Sequence, residues 1–197
     1  MCSAEPSPPL SDADRRILLE LAVASIRHGL DRGQPLTPDP APYSPSLTVP
    51  RATFVTLHMD GELRGCIGAL EPVRPLVQDV AHNAYAAAFE DPRFRPVRAD
   101  EIDRITVEIS ILSPAMPLQV HSESDLLAQL RPGVDGVIMA EGPRRGTFLP
   151  SVWESLPRPE DFLRHLKHKA GLPADYWSDT LKVWRYTTES FGGERQG

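Results

Sequence analysis

Cysteine is scarce in this sequence: two residues in 197, at positions 2 and 66. Two cannot build a disulfide framework, and they form no metal-ligand cluster. So little cysteine reads as a reduced, cytoplasmic protein. Runs of about 18 apolar residues are also lacking, so no membrane-spanning helix and no membrane partner are expected. The opening residues, Met1-Cys-Ser-Ala-Glu-Pro-Ser-Pro-Pro9, have no basic stretch leading into an apolar one, so no secretory signal is read. Positive charge is short as well: 21 Lys and Arg against 27 Asp and Glu leave a formal charge of −6. Binding a phosphate backbone needs clustered positive charge. The two concentrations, Arg144-Arg145 and Arg164 to Lys169, read as solvated surface, so no nucleic-acid partner is expected. Neither glycine-rich phosphate loop occurs, and no cofactor is expected. His165 and His168 share a helical face without a carboxylate or cysteine spaced to join them, so no metal site is expected either.

Proline, by contrast, is plentiful, and its 21 residues punctuate the chain. The length suits one large domain, or a domain with a small satellite. Residues 1–10 read as a flexible arm and 191–197 as a flexible tail. Ser11 with Asp14 forms a capping-box variant opening a helix whose Leu18, Leu21 and Ala22 share a face that Ser25 interrupts. Gly33 is its stop. From Gln34 to Pro50 the prolines predict an extended loop. A helix starts at Pro75 and ends at Asp91-Pro-Arg-Phe-Arg-Pro96. Ile105 to Leu112 alternates as a half-buried strand, which Pro114 and Pro117 end. A short helix near Asp125 to Leu130, strands at 134–140 and 146–149, a helix over 159–169 and a last strand over 180–188 follow. This irregular order predicts an α+β fold, with a mixed or antiparallel sheet flanked by helices, over a doubly wound one.

Arg51 to Met59 and Glu62 to Leu70 flank Asp60-Gly61, a two-residue hairpin signal. A plain two-residue turn sets Val55 opposite Cys66 and Leu57 opposite Arg64, with Phe54, Thr56 and His58 on the other face. Within the hairpin, Gly65 and Gly68 weaken a strand interior and so call for a bulge or a close backbone approach. Two readings of Cys66 compete. In one it is an accessible thiol that Arg64, on the same face, activates by favouring the thiolate. In the other it is a small buried hydrophobe in a tight sheet. No histidine can be set against it as a base, His58 falling on the opposite face. Arg93 similarly either meets an anionic ligand or pairs with Asp91 to fix its loop, with Phe94 packed beneath. Trp153, Trp177, Trp184, Tyr176 and Tyr186 either floor a pocket or anchor a core.

The octapeptide Leu63-Arg-Gly-Cys-Ile-Gly-Ala-Leu70 resembles the signature of the AMMECR domain family. The likeness continues in order through Ala88-Phe-Glu-Asp-Pro-Arg-Phe-Arg-Pro96 and Val107-Glu-Ile-Ser-Ile-Leu-Ser-Pro114. It extends through Gly136-Val-Ile138, Thr147-Phe-Leu-Pro-Ser-Val-Trp153 and Phe162 to Gly171. With their flanks these motifs make residues 11–190 a single AMMECR-type domain. The resemblance implies an α+β fold with a larger subdomain and a smaller lobe packed together. It also implies an association with a Memo-like protein and a radical-SAM protein, the AmmeMemoRadiSam set. The cysteine motif, suggested as an active or binding site in the family, maps onto Arg64, Gly65, Cys66 and Gly68.

Three functions follow as expectations. The first is a ligand-binding or interaction module acting with those partners, with Arg64, Gly65, Gly68 and Arg93 as ligand-binding candidates. The second is an enzyme using Cys66 as nucleophile or redox thiol. The third is a purely structural cysteine motif. Composition and spacing specify no oligomeric state.

Overall fold

The computed structural model of the chain describes residues 9–193. Of the expected arm, residues 1–8 lie outside that range, and Leu10 is buried in a core. Of the expected tail, residues 194–197 lie outside it, and Phe191 and Gly192 belong to a strand. The helices are α1 (Asp12–Arg32), α2 (Pro45–Thr48), α3 (Leu76–Phe89), α4 (Glu123–Gln129) and α5 (Pro159–Lys169). The strands are β1 (Thr53–Met59), β2 (Glu62–Gly68), β3 (Ile105–Leu112), β4 (Met116–Leu118), β5 (Gly136–Glu141), β6 (Arg144–Phe148), β7 (Lys182–Tyr186) and β8 (Thr188–Gly192). They make two four-stranded sheets, ordered β2-β1-β3-β8 and β4-β7-β5-β6, and the fold is α+β. The chain divides into two units, one running to Leu112 and resuming at Glu189, the other Ser113–Thr188.

In the first unit the helix ends form as local chemistry dictates. Ser11 Oγ accepts the Asp14 N–H at 3.1 Å while the Asp14 carboxylate accepts the Ser11 N–H at 3.2 Å, closing the capping box. Gly33 stops α1 in the left-handed region, φ 67°. Leu18, Leu21, Ala22 and Ile26 are buried. Ser25, which breaks that face in the sequence, is buried with them, because its hydroxyl donates to Ala81 O at 2.7 Å and accepts the Leu36 N–H at 3.1 Å. A single short helix, α2, interrupts the segment expected to be loop. Helices α1 and α3 cover one face of the sheet, where Val55, Leu57, Val107, Ile109 and Ile111 meet Leu18, Ile26, Val80 and Ala84. Each Val, Leu or Ile among them contributes about 1.5–3 kcal/mol by leaving water. Among the described residues no helix of this unit packs on the other face, which carries Thr56, His58, Thr106 and Glu108 half-buried.

The second unit has its own core, built on Val137, Met139, Val183, Phe162 and Leu166. Trp153 stacks on Phe162 with centroids 3.7 Å apart and donates Nε1–H to Asp135 O at 2.7 Å, so this aromatic anchors the core. The basic run on α5 is not all solvated surface. Lys167 is fully buried, its ammonium bonded to Glu123 Oε2 at 2.6 Å and Ala174 O at 3.0 Å. Pro117 does not end structure but sits in β4, at a sheet edge where a missing N–H is tolerated. The last expected strand is two strands in different sheets. At the change-over Thr187 and Ser113 bond each other, Ser113 N–H to Thr187 O at 2.8 Å and Thr187 N–H to Ser113 Oγ at 2.9 Å.

Candidate functional site

The hairpin turns as its sequence predicts, with Asp60 at φ 54° and Gly61 at φ 82°, both in the left-handed region. Its register departs from expectation. Met59 faces Glu62 and His58 faces Leu63, but Leu57 then faces Gly65, so Arg64 is the extra residue of a bulge. One inserted residue reverses the facing of everything beyond it. Cys66 consequently pairs with Thr56 rather than Val55, and shares the open face with Thr56 and His58. Arg64 does not partner the thiol. It is 6% exposed, and its guanidinium donates to Glu101 Oε2 at 3.1 Å and Arg95 O at 2.9 Å.

The two glycines of the motif answer to close approach. A Cβ on Gly65 would stand 2.1 Å from Ala87 O, so β2 lies directly against α3 there. One on Gly68 would stand 2.3 Å from Thr53 O and 2.5 Å from the Phe54 ring.

Cys66 itself is half-buried and unpaired. Its Sγ accepts the Thr56 hydroxyl at 3.2 Å. Burial pushes the thiol pKa up; the Thr56 bond and the Arg93 charge oppose this, and the carboxylates of Asp91 and Glu108 add to it. The net direction is upward, so the thiol keeps its proton at neutral pH.

Asp91 and Arg93 clip the outer edge of β2. Asp91 Oδ2 accepts the Cys66 N–H at 2.9 Å, and Arg93 Nη2 reaches Cys66 O at 3.4 Å. Between them the two side chains join at 2.7 Å through Nη2–Oδ2 and 3.0 Å through Nε–Oδ1. The Arg93 hydrogen bond holds the buried Asp91 carboxyl far below the ordinary carboxylate range, and the Cys66 and Arg93 amides reinforce it. Arg93 lies over the Phe94 ring at 5.4 Å, so the loop is fixed by the ion pair that was one of its two expected roles.

Sequence reasoning missed three acids. Glu108 lies opposite Thr56 on β3, in the outward set of an alternating strand that reads as plain solvent face. Among the described residues its side chain makes no hydrogen bond or ion pair. Glu101 is buried and gathers Arg64, Arg95 Nη2 at 2.9 Å and the Arg98 N–H at 2.9 Å. Burial opposes its charge, but these contacts together hold its pKa down. Asp79, inside the apolar stripe of α3, accepts Thr53 Oγ1–H at 2.7 Å, Asn83 Nδ2–H at 3.0 Å and Arg74 Nη1–H at 3.1 Å. Its burial is the larger effect and pushes its pKa up. An acid within an apolar stripe is the signal that could have found it.

Among the described residues no three His, Cys, Asp or Glu side chains converge to hold a metal ion, and no helix is long and apolar enough to cross a membrane. A shallow apolar groove of about 450 Å³ along Leu19, Val23 and Ala24 belongs to α1, on the opposite side of the sheet from Cys66.

Comparison with known proteins gives this arrangement a context. The AMMECR1 family model matches residues 19–191. A protein of Methanothermobacter thermautotrophicus is 40% identical over 190 residues, 93% of this chain and 96% of its own. One of Thermotoga maritima is 40% identical over 172 residues, 86% of this chain and 94% of its own. In structure the chain is similar to the uncharacterized protein PH0010 of Pyrococcus horikoshii, with a TM-score of 0.83, 34% identity and 90% of each chain covered.

Proposed function

Because the chain belongs to the AMMECR1 family, whose resemblance implies an association with Memo-like and radical-SAM proteins, we propose that it is a binding module. It works beside those partners through the open face of the first sheet around Cys66. The observation that carries this reading is a carboxylate, Glu108, that faces Thr56 on this face and whose side chain has no hydrogen-bond or ion-pair partner among the described residues. A nucleophilic thiolate needs a lowered pKa or a base within hydrogen-bond reach. Cys66 has Thr56 there instead, and its pKa moves the other way. A carboxylate whose oxygens stay open to solvent beside a hydroxyl is suited to receive a ligand. The reading takes residues 11–190 as the working domain and the cytoplasm as its compartment.

The test is co-expression of the tagged full chain with the Memo-like and radical-SAM proteins of the same genome. A complex that survives purification and is weakened at least tenfold by Glu108→Lys supports the reading. Absence of any complex overturns the partnership. A second reading, Cys66 as nucleophile or redox thiol, is favoured by one observation: the bulge leaves His58 on the same face. The two are diagonal neighbours across the strand pair, about 7–8 Å apart at Cα, so this chemistry needs His58 to move towards the thiol. If the motif is purely structural, Cys66→Ala lowers stability and leaves the complex intact.

A further inference from the structure

Helix α1 turns an ordered row of charges towards solvent. At 3.6 residues per turn, Arg16, Glu20, Ala24, Arg27 and Asp31 fall in one stripe about 80° wide, and all of them are exposed. Val23 and Leu19 border the stripe on one side and, with Ala24, form the apolar part of the groove of about 450 Å³ that Glu20 and Arg27 also line. The side chains of Arg16, Glu20 and Asp31 have no hydrogen-bond or ion-pair partner among the described residues. That of Arg27 meets Asp103 at 3.3 Å, with both side chains exposed. A pair of that kind contributes little, so exchanging it costs little. Along the stripe the signs alternate, plus, minus, plus, minus, and they are antisymmetric about the point between Val23 and Ala24. Glu20 and Arg27 stand equally far from that point with opposite charges, and so do Arg16 and Asp31.

We propose that this face of α1 docks a second copy of the chain, the two α1 helices lying antiparallel across a two-fold axis between Val23 and Ala24. In that register Glu20 meets Arg27 of the second copy and Arg16 meets its Asp31, and the symmetry makes each pair twice. A two-fold contact sets one patch against itself, so the patch must be complementary to its own reversal. The charges of α1 have that order, which is what singles out a second copy as the occupant. Parallel pairing would set Glu20 against Glu20 and Arg27 against Arg27, and like charges facing each other disfavour it. At the axis Ala24 is small enough for the helices to approach, and Val23 and Leu19 bring apolar surface to cover. One helix pair makes a small interface, so the association is of the weak class, and its charges set register and orientation more than affinity. The groove lies on the opposite side of the sheet from Cys66, so this pairing makes no use of the open face.

The experiment is sedimentation velocity of the full chain at neutral pH and low salt, over about 1 to 300 µM, a range that spans weak association. The weight-average mass should rise with concentration from that of one 21.8 kDa chain towards that of two. Glu20→Arg and Arg27→Glu each bring like charges together and should each weaken the association at least tenfold. The double variant Glu20→Arg/Arg27→Glu exchanges the signs and should restore it to within a factor of about three, because residues in contact do not act additively. Both positions are exposed, so the circular dichroism of all three variants should match that of the unaltered chain, and the rescue separates a lost contact from a lost fold. The rescue also reads the orientation, since in a parallel pair the double variant would still set like charges together. A chain that stays monomeric over the whole range overturns the inference. So does an association that neither single variant weakens, or one that the double variant fails to restore.

Discussion

Cys66 sits under five influences, four of them side chains that substitution can remove. Burial raises its pKa, the Thr56 hydrogen bond and the Arg93 charge lower it, and Asp91 and Glu108 raise it. Alkylation rates against pH, measured in a chain with Cys2→Ser, should therefore give a midpoint above the ordinary thiol value of about 8.5. Glu108→Gln should move that midpoint down, whereas Arg93→Ala and Thr56→Val should each move it up. A midpoint well below the ordinary value would make Cys66 the activated nucleophile that the binding reading denies. The sequence made Cys66 conspicuous through its flanking glycines, yet it assigned the wrong cation. Arg64 and Arg93 are both in motifs. Only the bulge decides that the first turns to Glu101 while the second stays near the thiol.

At the scale of elements, β2 is held in place by what it lacks. Gly65 lies against the α3 backbone, and a carbonyl cannot swing aside as a side-chain tip can. Gly65→Ala should destabilise the fold by about 3 kcal/mol, the upper part of the range for overpacking, read as a lower urea midpoint. An unchanged midpoint would mean that α3 yields freely. Helix α3 also carries Asp79, whose pKa is raised in the folded state mainly by burial. Its stabilising contribution is therefore complete below the unfolded value of about 3.9 and is lost as pH rises through the folded value. Denaturation of the unaltered chain and of Asp79→Asn at pH 4 and pH 7 should show the aspartate form losing ground as pH rises. The opposite trend would mean that Arg74, Thr53 and Asn83 together outweigh burial. Periodicity and caps made most elements legible: the capping box of Ser11, the Gly33 stop, the Asp60-Gly61 turn and α5 with its stated ends. They failed where tertiary contacts decide. The Arg64 bulge depends on a buried ion pair with Glu101, far along the chain, and Lys167 is buried only because Glu123 and Ala174 meet it.

At the scale of the whole molecule, the chain order of the two units makes their independence testable. The second unit is one continuous stretch, Ser113–Thr188, set between β3 and β8, which are neighbours in the first sheet. Its two ends are already joined by the Ser113–Thr187 hydrogen bonds of 2.8 and 2.9 Å. It has a core of its own around Phe162, Met139 and Val183. A stretch with adjacent ends and its own core should fold when excised. The fragment 113–188 should give dispersed amide spectra and a single cooperative thermal transition. The complementary variant closes Leu112 onto Glu189 through a short Gly-rich linker. It keeps Thr56, His58, Cys66, Asp91, Arg93 and Glu108, all of which lie in the first unit. Its Cys66 alkylation profile should match that of the full chain. A folded variant with a shifted profile would show that the second unit acts on the thiol, and an unfolded one that the first unit's core, centred on Leu57 and Ile109, does not suffice without the insertion.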